Sequence, residues 1–359
     1  MKRSTRGYIL NTNNLRKAIL KSYSHKTRQQ REKKEVCDVM YNLQAFIDQT
    51  IAELASETYR VGEYRHFAIQ DRKTRNISVL PYKDRRVQNL VKDAIEPILM
   101  NKMTDDMYGG LPGRGIVTKP CNRSVTRAMR EILTSGEFSH YWLGDISKFY
   151  ESLKNPVIMK RVERCVTDKF TLALIRQFVW AQPSLAIGDP FSHLLANLCM
   201  SDLVRHIKEE HPRCRIVNFA DNIIIFAHSL EEANTAGRTA RSFAATQLRL
   251  HFHEGDHSSP ISPFEGIHFC GRVYFPSGKI RLRKGTKQNI AKAKNKPLSV
   301  ASYQGILRSA NCKHLTKIIY GKATNTICRQ TDQSGRTAGH QAHDCSKGTQ
   351  TVETERQRE

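Results

Sequence analysis

The sequence contains no Cys-x-x-Cys pair among its nine cysteines, which argues against a structural zinc site and a thiol redox site. Scattered positions of this kind fit reduced, mostly buried thiols better than a disulfide framework. The sequence also lacks an apolar run of membrane-spanning length, and its first residues lack the apolar region of a signal peptide. We therefore expect a cytoplasmic protein that makes no use of a membrane.

Acidic residues are scarce, since 34 Asp and Glu oppose 58 Lys and Arg and leave a net charge of +24 at pH 7. Solubility does not require so large an excess, and a polyanion is the partner that it favours. Residues 1–35 alone hold eleven Lys or Arg and two Glu. We interpret this segment as a partly helical basic arm, either a solvated terminus or a contact to nucleic acid.

Hydrophobic periodicity outlines the elements that follow. Apolar residues recur at helical spacing over residues 36–54, which predicts one amphipathic helix. Further predicted elements are a strand pair over 67–70 and 76–81 around a basic turn, and helices over 86–100, 191–207 and 285–320. From residue 328 onward the chain is polar and almost without large apolar residues, so we expect a disordered tail.

Two aspartates lie at the ends of strand-like segments. Asp145 ends the run Tyr-Trp-Leu-Gly-Asp, and Asp221 lies in Phe-Ala-Asp-Asn, at the turn between two apolar runs. On neighbouring strands, two such carboxylates can hold a pair of divalent metal ions, which nucleotidyl transfer requires. Structural roles remain open for both: Asp and Asn favour hairpin turns, and Asp145 would suit as the N-cap of a helix beginning near Ser147.

Seven segments carry chemistry, and their order is informative: residues 75–88, 108–115, 144–150, 187–197, 219–222, 269–271 and 301–311. In this order they resemble the reverse transcriptase family, in particular the compact bacterial branch of group II intron, retron and diversity-generating retroelement enzymes. The resemblance extends over about residues 36–323. It rests on the succession of segments and not on any single one.

The resemblance implies an α+β fold of the right-hand palm polymerase type, with fingers, palm and a helical thumb. We accordingly divide the chain into a basic N-terminal arm (1–35), fingers (36–137), a palm with the catalytic carboxylates (138–275), a thumb (276–326) and a disordered tail (327–359).

The resemblance also implies a catalytic centre of Asp145, Asp221 and Asn222. The two aspartates and the main-chain carbonyl of Ile146 would bind two Mg²⁺ ions, with Mn²⁺ as a substitute. Tyr150 matches the aromatic steric gate that crowds a ribose 2′-hydroxyl and so favours deoxynucleotides. As ordinary structure, Tyr150 would simply be a core residue.

Nucleotide contacts are implied as well. Gly188 and Ser192 match the motif beneath the incoming base and template, where glycine permits close approach of the backbone. Arg72, Lys73 and Arg75 lie where a basic hairpin would hold a triphosphate. Arg85 belongs to a stretch of the family pattern Asp-Arg-x-Val-Gln. A Gly-Asp-Pro turn before a helix, and solvated cations, are the structural alternatives.

The chain departs from the family pattern at three places. Asn222 replaces the second aspartate of the hairpin, which keeps an oxygen ligand and loses a charge. His193 replaces the glutamine of the Ile-Gly-x-x-x-Ser-Gln pattern found in diversity-generating retroelement enzymes. The lysine expected near residues 250–257 is missing, and three histidines there are either surface residues or substitute acids.

The implied function is RNA-directed DNA synthesis by two-metal nucleotidyl transfer, in a bacterial or phage retroelement such as a diversity-generating retroelement. The partners would be an RNA template, a DNA or RNA primer and dNTPs, with an accessory protein or a structured RNA left open. Because of Asn222, a second hypothesis stays open: a catalytically weak or untemplated palm protein in nucleic-acid binding or antiviral phage defence.

Overall fold

The structure is a computed structural model that describes residues 4–70, 74–117, 123–292, 306–307, 310 and 312. The chain divides into two compact units, Met1–Ile280 and Arg281–Glu359. The boundary falls inside the segment expected to form a thumb. Two predictions lie outside the described residues: the disordered tail over 327–359, and most of the basic helical segment beyond Lys292.

The N-terminal residues form short helices, of which the first three begin at side-chain caps. Ser4, Asn11 and Thr27 accept hydrogen bonds from main-chain amides three residues ahead. The helices are α1 (Thr5–Ile9), α2 (Thr12–Ser24), α3 (Arg28–Arg31), α4 (Lys34–Tyr41) and α5 (Leu43–Ala55).

The N-terminal segment is part of the main core. Ile9, Leu15 and Ile19 are fully buried in the same hydrophobic cluster as the rest of the first unit. The basic segment is therefore helical, as expected, and its apolar stripe is covered instead of solvated. The single helix predicted over residues 36–54 is wrong in one respect, because it is divided at Asn42, which leaves helical geometry at φ −109° and ψ 38°.

A strand hairpin and a long helix follow. Strands β1 (Arg65–Gln70) and β2 (Thr74–Val79) pair antiparallel, with Ile69 opposite Arg75, which confirms the predicted strand pair. Helix α6 (Tyr82–Met100) begins after Pro81, four residues before the predicted start at residue 86. After it come the short parallel pair β3 (Arg114–Gly115) and β4 (Arg123–Ser124), and helix α7 (Val125–Ser135).

The central sheet has four antiparallel strands in the order β6-β7-β5-β8. These are β5 (His140–Asp145), β6 (Arg215–Phe219), β7 (Asn222–Ala227) and β8 (His257–Pro260). Every residue of β7 from Ile223 to Ala227 is buried, so both faces of the sheet are covered. The register places Asp145 directly opposite Asn222.

The helices around the sheet include α8 (Phe149–Ser152), α9 (Asn155–Cys165), α10 (Lys169–Trp180), α11 (Pro190–Glu210) and α12 (Leu230–Phe243). Helix α12 continues into a π-helical turn, Ala244–Leu248. It approaches the sheet closely, because a Cβ atom on Gly237 would lie 2.6 Å from the indole ring of Trp142. Only glycine fits between helix and sheet at this point.

The first unit ends with the antiparallel strands β9 (Ile267–Phe269) and β10 (Arg272–Tyr274). Strand β11 (Ile280–Leu282) and helix α13 (Lys284–Lys292) follow. In the second unit, Leu282, Ile290, Leu307 and Cys312 form a small buried cluster. The mixture of helices and small sheets is the α+β class that we expected. Among the described residues, no helix combines the length and the apolar character that a bilayer crossing needs.

Replacement of Gly237 by alanine should destabilise the protein. Alanine gains about 1 kcal/mol of helix propensity over glycine, but overpacking against Trp142 costs about 1–3 kcal/mol. We expect a net loss of up to about 2 kcal/mol in the free energy of unfolding from urea denaturation. Gly255→Ala is the matched control, since a Cβ atom there meets nothing within 4 Å. Equal stability of the two variants would contradict the close approach.

Candidate active site

The turn between β6 and β7 has two residues, Ala220 and Asp221. Ala220 takes the left-handed conformation at φ 53°, where an Asp or Asn was expected to do so. The side chain of Asn218, fully buried, spans the turn: its Nδ2 donates to the carbonyl oxygens of Ala220 at 3.0 Å and Asn222 at 3.1 Å. A buried asparagine in an otherwise apolar strand was the available sequence signal, and our sequence analysis missed it.

The two aspartates leave neighbouring strands at the same end of the sheet. The amide of Ile146 donates to the carbonyl oxygen of Asp221 at 3.0 Å, so one main-chain hydrogen bond joins the two segments. Both aspartate side chains are half-buried. The alternative role of Asp145 as a helix N-cap is wrong, because α8 begins after Lys148 and has no side-chain cap.

A segment with three histidines lies along the opposite side of β5. The amide of His253 donates to the carbonyl oxygen of Asp145 at 2.8 Å, and the amide of Ser147 donates to the carbonyl oxygen of His251 at 2.9 Å. The side chains of both histidines are exposed. Their main chain, and not their imidazoles, is therefore what the structure brings to the site.

The side chain of Asn222 contacts the carboxylate of Asp221 and adds no negative charge to the site. Its Nδ2 donates to Oδ1 of Asp221 at 3.0 Å, so the amide stabilises that carboxylate. In the described part of the chain, no three His, Cys, Asp or Glu side chains are grouped to hold a metal ion. What the site offers is two carboxylates with amide and main-chain oxygens, an all-oxygen set of the type that Mg²⁺ and Mn²⁺ prefer.

Tyr150 is fixed beside these groups. Its hydroxyl forms a 2.5 Å hydrogen bond with Nδ1 of His193, and its ring meets that imidazole edge-on at 5.1 Å. Burial, and to a lesser extent the charge of Asp221, raises the pKa of Tyr150, while burial lowers the pKa of His193. At neutral pH the hydroxyl is therefore the donor and the neutral imidazole the acceptor.

The start of α11 accounts for Gly188 and Ser192. Asp189 is the N-cap, and the Ser192 hydroxyl, 3% exposed, donates to its Oδ2 at 3.0 Å. Ser192 is thus engaged with the helix start. Gly188 has φ +87°, and a Cβ atom there would meet nothing within 4 Å, so its backbone faces open space. The structure leaves Gly188 accessible and Ser192 enclosed.

The segment before β3 supports the turn from the side. The amide of Tyr108 donates to the carbonyl oxygen of Asn218 at 2.8 Å, and a Cβ atom on Gly109 would lie 2.5 Å from the nitrogen of Ala220. Asn197 Nδ2 donates to the carbonyl oxygens of Gly109 and His193, both at 2.8 Å. The close approach to Ala220 explains why position 109 is a glycine. The sequence analysis had singled out residues 108–115 without giving Gly109 a role.

The basic residues expected to hold a triphosphate are placed only in part. Arg72 and Lys73 lie outside the described residues, and Arg75 is described through its main chain, which pairs with that of Ile69 in the β1–β2 hairpin. The structure therefore brings together Asp145, Asp221, Asn222 and Tyr150 from the predicted set, and it adds His193.

Comparisons with known proteins agree with this arrangement. The family model for "Reverse transcriptase (RNA-dependent DNA polymerase)" matches residues 69–254, which is more than half of the 359 residues. Protein YkfC of Escherichia coli (strain K12) is 22% identical over 152 residues, which are 39% of this chain and 39% of YkfC. The chain thus matches much less than two thirds of the length of YkfC.

The family match includes both strands that carry the paired aspartates, the turn that Asn218 holds, and the tyrosine beside them. Five of the seven segments singled out in the sequence lie within the matched residues, and the chain belongs to the reverse transcriptase family.

Proposed function

We propose that the protein is an RNA-directed DNA polymerase that extends a primer by two-metal nucleotidyl transfer. The observation that carries this proposal is the register of the central sheet, in which Asp145 lies opposite Asn222 and Ile146 is bonded to Asp221. Two carboxylates on adjacent strands, at one open end of a sheet, are what a shared pair of metal ions needs.

Asp145, Asp221 and the carbonyl of Ile146 would hold two Mg²⁺ ions. Bound there, such ions supply activation of the primer hydroxyl and neutralisation of charge on the leaving pyrophosphate. The protein holds the backbone that carries the carboxylates by the main-chain amides of Ile146 and His253 and by the side-chain amide of Asn218. The neutral amide of Asn222 lowers the charge available to the ions, which favours Mn²⁺ as a more effective cofactor.

Tyr150 would serve as the gate against ribonucleotides. A steric gate must be rigid, because a mobile ring would yield to a 2′-hydroxyl. The hydrogen bond to His193 and the edge-on contact with Phe149, at 5.2 Å between ring centroids, restrict both ends of the side chain. His193 is thus a positioning residue for the gate, in place of the glutamine of the family pattern.

The net charge of +24 suits an RNA template, a DNA or RNA primer and dNTPs as partners. Arg72, Lys73 and Arg75, with Gly188, would contact the nucleotide. We propose the division into arm, fingers, palm, thumb and tail at the boundaries given above. A bacterial or phage retroelement such as a diversity-generating retroelement is the proposed setting, with an accessory protein or structured RNA as a further partner.

A second function follows from one observation, the hydrogen bond of Asn222 to Asp221. An amide that satisfies the carboxylate internally lowers its demand for a metal ion. A catalytically weak or untemplated palm protein, acting in nucleic-acid binding or phage defence, would have such a site. The two functions predict different effects of Asn222→Asp on the rate of primer extension.

Asn222→Asp should raise Mg²⁺-dependent primer extension on an RNA template, because it restores the missing negative charge. The wild-type protein should gain more from replacement of Mg²⁺ by Mn²⁺ than the variant does. Initial rates of primer extension in each metal measure both effects, and Asp221→Asn, which removes a carboxylate, should abolish extension. A variant Asn222→Asp that is slower than wild type in both metals would contradict this account and favour the second function.

Tyr150→Val should admit ribonucleotides, because it removes the ring that blocks the 2′-hydroxyl. We expect discrimination between dNTP and rNTP to fall on the order of ten- to hundredfold, measured as the ratio of kcat/KM in single-nucleotide incorporation. Tyr150→Phe is the matched control: it keeps the ring and loses the bond to His193, so most of the discrimination should remain. Unchanged discrimination in Tyr150→Val would remove Tyr150 from the gate.

A further inference from the structure

Two neighbouring arginines line a cavity of about 250 Å³ next to the start of α11. The cavity lies between β2, the first turns of α6 and the loop that precedes α11. Its polar lining includes Ser78, Arg85, Arg86, Gln88, Asn89 and Asp189, and the backbone at Gly188 also faces it. The cavity is smaller than the roughly 300–1,000 Å³ of most small-molecule sites, so it suits one chemical group better than a whole nucleotide.

Arg86 is a buried cation for which the described residues offer no hydrogen-bond acceptor. Its side chain is 5% exposed, and its Nε and Nη1 are buried with no hydrogen-bond partner in the described part of the chain. Its guanidinium lies 4.9 Å from the centroid of the Tyr82 ring, a contact that offsets only part of the cost of burying a charge. Burial lowers the pKa of Arg86 to about 10, so the group stays charged at neutral pH.

Arg86 also lies among further cations. Lys26 and Arg85 approach the same Tyr82 ring, at 5.2 and 5.6 Å from its centroid. The carboxylate of Glu35 lies beside these cations and forms ion pairs with both Arg85, at 3.2 Å, and Arg65, at 3.6 Å. The Nε of Arg85 is buried and has no acceptor among the described residues. Positive charge therefore exceeds negative charge around the cavity.

The aspartate in the cavity wall does not neutralise Arg86. The Asp189 carboxylate already accepts hydrogen bonds from the main-chain amides of Phe191 and Ser192, from the Ser192 hydroxyl and from the Gln88 amide. In the described residues it forms no ion pair. Burial raises its pKa above the usual value for an aspartate, while these four hydrogen bonds act in the opposite direction. The unsatisfied donors of Arg85 and Arg86 thus call for an anion from outside the chain.

We propose that this cavity binds one phosphate group, with Arg85 and Arg86 as its donors. A guanidinium presents parallel N–H groups that match two phosphate oxygens, and a phosphate would supply the missing acceptors and charge together. Position 86 is the variable position in the Asp-Arg-x-Val-Gln stretch, so the family pattern does not by itself assign this role.

Two sources carry a phosphate: the backbone of a bound nucleic-acid strand, and a free nucleotide. The strand is the source that we favour, and this choice rests on the proposed polymerase function. The phosphate site itself does not rest on it. Gly188, whose accessible backbone lines the cavity, belongs to the same loop that leads to His193 and the Tyr150 gate, which places the cavity beside the candidate active site.

The first test uses the full-length protein, Arg86→Met and the control Arg238→Met. Arg238 is exposed on α12 and donates to Thr235, so its replacement removes the same charge from a distant surface. Thermal unfolding is followed with inorganic phosphate or chloride at one ionic strength. Phosphate should raise the Tm of wild type and Arg238→Met by equal amounts and that of Arg86→Met by less, since the variant keeps only the general stabilisation that phosphate gives to folded proteins.

The stability without phosphate separates a binding role from a structural one. Replacement of an unpaired buried charge by an apolar side chain of similar length is neutral or stabilising, whereas loss of one partner of an internal pair is strongly destabilising. We expect Arg86→Met in chloride to be at least as stable as wild type. A lower Tm in chloride, together with the same phosphate response in all three proteins, would overturn the proposal.

The second test distinguishes the two sources. Binding of single-stranded RNA without nucleotide or metal should weaken on the order of tenfold in Arg86→Met, and the slope of log affinity against log salt should fall by about 1 relative to wild type. An increased KM for dNTP with unchanged RNA binding would instead assign the phosphate to the nucleotide. If neither quantity differs from Arg238→Met, the cavity binds no phosphate of either source.

The Tm and RNA-binding measurements do not require catalysis; only the KM for dNTP does. A protein that passes both binding tests and does not extend a primer would refute the proposed function and keep the phosphate site. A protein that extends primers and shows no difference between Arg86→Met and Arg238→Met would refute the phosphate site alone.

Discussion

One main-chain hydrogen bond, from the amide of Ile146 to the carbonyl oxygen of Asp221, holds the candidate active site together. It sets the two candidate catalytic carboxylates beside each other at one end of the sheet, and further contacts support the same turn. Asn218 spans the turn from within the sheet, and Gly109 packs against Ala220 so closely that no Cβ atom would fit. Because all of these supports fix the main chain at the turn and come from the protein itself, the carboxylates would be in place before any metal ion or nucleotide binds.

Charge is distributed unevenly between the two sides of this site. At the sheet, Asp221 influences the ionisation of both Tyr150 and His193, and Asn222 replaces a carboxylate with a neutral amide. Across the start of α11, Arg86 carries a buried charge that the described residues leave without an acceptor. A nucleic acid or nucleotide would bring negative charge to the side of Arg86. Its binding would therefore also supply the counter-charge that Arg86 lacks among the described residues.

Sequence periodicity predicted most of the local structure correctly. The paired strands near residue 70, the turn at Asp221 and the long helix that follows Gly188 are all present, because each depends on residues within a few positions of one another. The single helix over 36–54 is divided at Asn42, which the apolar pattern did not register since apolar residues continue on both sides. The N-terminal segment was interpreted from its positive charge. Its three buried apolar residues, however, pack it into the hydrophobic core.

The sequence by itself therefore determined several of the helices and strands, the paired aspartates and the family, because these rest on local patterns and on the order of short motifs. Tertiary structure decided which side chains meet: Tyr150 and His193 are 43 residues apart, Gly109 and Asn197 are 88 apart, and Gln88 and Asp189 are 101 apart. It also decided that the Ser192 hydroxyl serves its own helix and that Arg86 is buried without an acceptor among the described residues. Such facts depend on how the helices pack on the sheet, and no local pattern encodes that packing.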